Sequence, residues 1–231
     1  MSNPAFRSFD SRDALAEKLA DDVCEQLHAA IAKRGEATLV VSGGSTPTPF
    51  FKALRARDLS WKQIKVLVAD ERWVMPDHDD SNEKLVREHL QPESIISLAP
   101  MMADENLHDG AVRIEHQLKA MTNPFDVVIL GMGEDGHTAS LFPNHVVLEE
   151  GLNLQTSHAS LPVEDSPKPP PQRITLTAKR LMNCENLILH ITGDAKKSVY
   201  ETALQTDDVK QYPIAALLKN TNPQPTIYWA A

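Results

Sequence analysis

Three short apolar runs, each breaking directly into a polar, turn-forming segment, constrain this chain more than anything else in it. ATLVV (Ala37–Val41) runs into SGGSTP, IKVLVA (64–69) into DERW, and FDVVIL (Phe125–Leu130) into GMGEDGH. The runs are close to continuously apolar rather than alternating, the pattern of strands covered on both faces. Helical stretches separate them. Leu15, Leu19, Val23, Leu27 and Ile31 step by four and mark one face of a long helix, with Asp10 or Ser11 placed to cap it. In SGGSTPTP the glycine pair makes a turn, Ser45 or Thr46 is placed to cap, and Pro47 suits the first position of a helix carrying Phe50, Phe51 and Leu54. Ser81 is a cap for a helix through Leu90, and a further helix is predicted over 105–120. RITLT, 187–191 and 226–229 read as strands, with helices near 195–205 and 213–219 between them. Residues 165–171, DSPKPPP, are too rich in proline for helix or sheet and predict an extended loop. This alternation predicts an α/β protein built on a mainly parallel sheet with helices on both faces. In such sheets ligands bind at the carboxyl ends of the strands, where the polar segments converge.

A chain of 231 residues suits one such domain, spanning 1–231. No run of eighteen apolar residues occurs, and MSNPAFRSFDSRD has neither an apolar segment nor a cleavage signature. Neither a membrane span nor a secretory leader is therefore expected. Cys24 and Cys184 make no disulfide framework and read as reduced thiols of a cytoplasmic protein. The net charge of −9 argues against nucleic acid or an anionic membrane as the main partner. A small anionic substrate remains compatible with it, because a local basic pocket overcomes a screened global field.

The polar segments carry the candidate chemistry. In SGGSTP, Gly43 and Gly44 let backbone N–H groups approach an anion at a helix start, and Ser45 and Thr46 add hydroxyls, which suits one phosphate. It lacks the Gly-Lys-Ser/Thr ending of a nucleotide P-loop. GMGEDG matches the dinucleotide pattern G-x-G-x-x-G, yet Pro143 leaves no room for the long helix that should follow. Glu134 and Asp135 would also set two carboxylates against a pyrophosphate, so no dinucleotide is expected. His137 ends the same segment and accepts a proton at neutral pH, with Asp135 two residues away to orient it. Asp70, Glu71 and Arg72 close the second run; as a strand-end triplet they are either a solvated turn or an acid, a base and an anion clamp, Arg72 being suited to bidentate grip. Lys168 and Arg173 flank the proline loop. Lys196 and Lys197 stand at a helix start, where a cation opposes the dipole and a bound anion would relieve the conflict. No G-x-S-x-G elbow and no H-E-x-x-H spacing is present, so neither an acyl-serine nor a metal site is expected, and Asp77–Asp80 read as a solvated loop.

Taken together, VVSGGSTP, VLVADERWV with DDSNEKLVREHL, DVVILGMGEDGHTASLFP, PKPPPQRITLT and ITGDAKK resemble the 6-phosphogluconolactonase family, in the family's order and across most of the chain. The resemblance implies a Rossmann-like fold similar to that of glucosamine-6-phosphate deaminases and ribose-5-phosphate isomerases, in the wider glucosamine-6-phosphate isomerase superfamily. It implies hydrolysis of a phosphorylated sugar lactone, without a cofactor, in the oxidative pentose phosphate pathway. By resemblance, Gly43, Gly44, Ser45 and Thr46 hold the substrate phosphate, His137 activates water, and Asp135, Asp70 and Arg72 complete the catalytic pocket. Lys168, Arg173 and Lys196 face the phosphate or the sugar acid, with their division between the two left open. Arg72 or backbone donors are expected at the oxyanion. The deaminase pattern departs at two points: Arg72 stands where it has a tyrosine, and Phe142 where it has a catalytic glutamate.

Overall fold

A computed structural model describes residues 4–220 and 222–231; the first three residues of the N-terminal stretch discussed above lie outside them. Helix α1 (Arg12–Arg34) opens with the Ser11 side chain accepting from Ala14 N at 3.1 Å and closes on Gly35, whose φ of 80° suits the left-handed cap. It buries Leu15, Leu19, Val23 and Leu27; Ile31 is only partly buried. Strands β2 (Ala37–Val41), β3 (Ile64–Val68), β6 (Phe125–Leu130) and β9 (Cys184–Thr192) lie at the heart of a seven-stranded sheet. With β1 (Ala5–Phe9), β5 (Ser94–Ile95) and β10 (Thr226–Ala230) the order is β1-β10-β9-β6-β2-β3-β5, and every neighbouring pair is parallel. The helices α2 (Thr48–Arg55), α3 (Asn82–His89), α4 (Leu107–Lys119), α5 (Leu148–Leu152), α6 (Ala178–Met182), α7 (Asp194–Gln205) and α8 (Ile214–Leu218) pack around it. Asp126, inside the buried β6, is matched by Arg34 and by Thr38, whose N–H donates at 2.8 Å.

The remaining strands depart from the expected single sheet. Residues 70–72 form a short strand, β4 (Asp70–Arg72), which pairs antiparallel with β8 (Arg173–Leu176), itself paired antiparallel with β7 (Ser160–Val163). The strand-end triplet is therefore neither a solvated turn nor part of the main sheet, and RITLT belongs to the smaller one. Ala69 is the joint. Its N–H donates to Val41 O of β2 at 2.8 Å, while its carbonyl accepts from Leu176 N of the small sheet at 2.9 Å.

Candidate functional site

Strands β2 and β6 pair only at Leu39–Val127 and Val40–Val128. Beyond that point the chain leaves β2 toward α2 and β3 on one side and β6 toward β9 on the other, the kind of crevice where open α/β sheets bind ligands. A cleft of about 530 Å³ opens there. Ten of the eleven expected residues line it: Gly43, Gly44, Ser45, Thr46, Asp70, Arg72, His137, Lys168, Arg173 and Lys196. The eleventh, Asp135, stands behind His137.

The glycine loop departs from expectation at its helix. Pro47 is the residue that caps α2, and no side chain caps that end. Ser45 and Thr46 are thus not spent on the helix and stay on the cleft wall. Gly44 takes a φ of 86°, which favours glycine. Gly43 is required for another reason: a Cβ there would overlap the side-chain amide of Asn82.

His137 and Asp135 form a dyad. The Asp135 carboxylate hydrogen-bonds His137 Nδ1, and its Oδ1 also accepts from the His137 backbone N at 3.2 Å. Lys168 Nζ lies 3.2 Å from Asp135 Oδ2 and 3.3 Å from His137 Nδ1. Partial burial pushes the Asp135 carboxyl up, but the hydrogen bonds and charge of His137, with Lys168, outweigh it and hold the group well below the usual carboxylate range. An ionised Asp135 fixes the proton on Nδ1, which leaves Nε2, without a hydrogen bond among the described residues, as the basic nitrogen. The ring packs on Phe142, centroids 4.7 Å apart.

Arg173 is chiefly a brace. Its Nε and Nη2 donate to the carbonyls of Pro170, Lys168 and Pro169 at 3.0–3.2 Å, and its Nη1 lies 3.8 Å from Asp70 Oδ2. It thereby pins the proline loop that carries Lys168. Asp70 is buried and accepts from Ser140 Oγ at 2.5 Å. Arg72 Nη1 donates to Asp80 O at 2.7 Å, while its Nε is buried without a partner. Lys196 lies in the first turn of α7 and makes no hydrogen bond or ion pair among the described residues. Burial pulls its ammonium below the usual lysine range.

Two neighbours were not singled out by sequence as site residues. His190, on β9, is 5 % exposed and lines the cleft; burial and then the Lys196 charge push it down to about 4, so it is neutral near pH 7. Glu71 is fully buried, and burial pushes it up to about 7 against the pull of its hydrogen-bond donors. A lone histidine in LILHI reads as core, and Glu71 is hidden within a charged triplet; a titratable group interrupting an apolar strand was the available signal. Among the described residues, no group of three or more His, Cys, Asp or Glu side chains is arranged to hold a metal ion.

A glycine loop ahead of a helix and a histidine–carboxylate dyad thus face one crevice of a parallel sheet. Residues 10–229 match the model of the family described as glucosamine-6-phosphate isomerases/6-phosphogluconolactonase, and the chain belongs to that family. Within it, the chain is 41 % identical over 225 residues to the 6-phosphogluconolactonase of Rhizobium meliloti, covering 96 % of this chain and 97 % of that one. It is 39 % identical to the 6-phosphogluconolactonase of Pseudomonas putida over 93 % of this chain and 88 % of the relative. The crystal structure of a 6-phosphogluconolactonase from Shewanella baltica superposes with a TM-score of 0.93 at 39 % identity, covering 100 % of this chain and 99 % of that one.

Proposed function

We propose that this protein hydrolyses 6-phospho-D-glucono-1,5-lactone to 6-phospho-D-gluconate, the lactone-opening step of the oxidative pentose phosphate pathway. The observation that carries the reading is the His137–Asp135 dyad with its unbonded Nε2 in the same cleft as the glycine loop; the similarity to 6-phosphogluconolactonases supports it. The phosphate sits on Gly43–Thr46, and its binding energy places the distant lactone carbon beside His137. Nε2 takes a proton from water as the water oxygen bonds to the lactone carbonyl carbon. The ring C–O bond then breaks, and the imidazolium returns a proton to the departing ring oxygen. Asp135 stabilises the imidazolium between these events.

The placement of the cations supports a division that the residue types alone left open. Arg72 is anchored on the carbonyl of Asp80, two residues before the Asn82 that backs the glycine loop, and on this reading belongs with the phosphate wall rather than with the oxyanion. Lys168, held beside the dyad, is the side-chain cation nearest the developing oxyanion. Phe142 occupies the position of a deaminase's acid and is fully buried under the histidine ring, which disfavours amino-sugar chemistry. The steps require no metal or redox cofactor. The unpaired Cys24 and Cys184 support a reducing, cytoplasmic setting.

The test is acid release from the phosphorylated lactone, with spontaneous opening subtracted, compared with unphosphorylated gluconolactone. A much larger kcat/KM for the phosphorylated lactone is expected. Equal values would remove the phosphate anchor, and no acceleration over the blank would remove the activity.

A further inference from the structure

The Glu71 carboxylate accepts four hydrogen bonds: from its neighbour Arg72 N at 2.8 Å, Ser81 Oγ at 3.0 Å, Asn82 N at 2.8 Å and Glu83 N at 2.7 Å. Three of the donors belong to the start of α3, which already has a cap of its own, since Ser81 Oγ accepts from Lys84 N at 3.1 Å. A second acceptor arriving from another element exceeds what capping needs. Its effect is to fasten α3 to β4.

What is fastened bears on the cleft at two points. The side chain of Asn82, the first residue of α3, donates through Nδ2 to Asp70 O at 2.8 Å and fills the space that a Cβ on Gly43 would need. It is thus the backing of the glycine loop. Asp80, two residues before Asn82, takes the Nη1 hydrogen of Arg72 on its carbonyl at 2.7 Å, which fixes one side of that guanidinium and leaves Nε buried without a partner. Glu71 also holds the backbone N–H of Arg72 itself. One buried carboxylate therefore ties the loop backing, the arginine backbone and the arginine's anchor to a single point.

We infer that Glu71 is a positioning residue for substrate-phosphate recognition: by locking the start of α3 onto β4 it holds Gly43 and Arg72 in mutual register, and so determines how strongly the protein prefers a phosphorylated lactone. This rests on the phosphate assignment proposed above. The dyad hangs from β6 and the proline loop and makes no contact with Glu71, so proton transfer is independent of the clamp.

Glu71→Gln keeps the shape but replaces one acceptor oxygen with an NH2 that faces N–H donors. Wild type and variant are compared on phosphorylated and unphosphorylated lactone, with spontaneous opening subtracted and thermal midpoints recorded. The expected result is a rise in KM for the phosphorylated lactone of about tenfold or more, with kcat on it changed by less than about threefold and kcat/KM on the unphosphorylated lactone preserved, the pattern of lost uniform binding. Glu71→Asp, which keeps the charge but shortens the reach, should fall between the two and carries the test if the glutamine variant does not fold. A fall shared equally by both substrates marks a merely structural role and overturns the inference. A wild type indifferent to phosphate overturns the phosphate assignment itself, whatever the variants do.

Discussion

The imidazole of His137 lies in the space that a side chain on Gly133 would occupy. A Cβ there would overlap the ring and the Asp135 carboxylate together, while Gly133 N donates to His137 O at 2.9 Å and keeps the turn closed. Gly133→Ala is expected to fold, since its φ lies outside the left-handed region, and to displace the ring. Misplacing a reacting group by about an ångström costs on the order of 10²-fold in rate. Steady-state kinetics should show this loss in kcat with KM little changed; a kcat near that of the wild type would mean that the ring position is not critical.

The dyad assignment makes a paired prediction. His137→Asn should lower kcat by roughly 10²–10⁴-fold, the usual contribution of a positioned base. Asp135→Asn removes the acceptor that fixes the Nδ1 proton and should lower kcat over a similar range, by roughly 10²–10⁴-fold. Product binding, followed by calorimetry, should change far less in both. A folded His137→Asn variant with near wild-type turnover would assign the base elsewhere.

Lys196 is a half-buried cation on the cleft wall with no hydrogen-bond or ion-pair partner among the described residues. An anionic group of the proposed substrate would supply that partner. Lys196→Met, which keeps the stem and removes the charge, should raise KM for the phosphorylated lactone by roughly 10–100-fold, the worth of one hydrogen bond to a charged group. An unchanged KM would place the substrate's anionic groups away from α7.

His190 makes stability depend on pH. Its folded value, about 4, lies below the ordinary histidine value of 6.5, so the folded chain binds fewer protons than the unfolded one between these limits. The stability it contributes is complete above about pH 6.5 and is lost as pH falls toward 4, a swing of roughly 3 kcal/mol. Glu71 acts oppositely: raised to about 7, it favours the folded state as pH falls from 7 to 4.5. The His190 contribution is therefore read as a difference. Denaturant midpoints of His190→Asn should fall less steeply from pH 7 to 4 than those of the wild type; parallel curves would show that His190 is not held neutral.

How legible the molecule was depends on where each element sits. β2, β3 and β6 are sandwiched by apolar neighbours and so spell themselves out as mainly hydrophobic runs, each interrupted by one residue, Thr38, Lys65 or Asp126. β1, AFRSF, is an edge strand with four exposed residues, and nothing in its composition separates it from coil. β7 contains Pro162, which argues against a strand unless the partner strand is known. The His137–Asp135 pair was readable because only Gly136 separates its members. Arg173 was readable as a cleft residue but not as a brace, since its acceptors are carbonyls, which any sequence supplies. Ser140 beneath Asp70 is seventy positions away and left no local mark.

Where β2 and β6 separate, the last tie between them is the side chain of Ser42, which accepts from Gly131 N at 2.9 Å and reaches Ile129 O at 3.3 Å. The loop that follows it carries the proposed phosphate seat, and the loop beyond Gly131 carries the proposed base, His137. That one hydroxyl is thus the rivet of a pair of calipers. With the jaws held at one opening, a chain of carbons anchored as proposed by its terminal phosphate would meet His137 at one carbon only, and a sugar lactone with one carbon fewer between phosphate and carbonyl is expected to stop short of it.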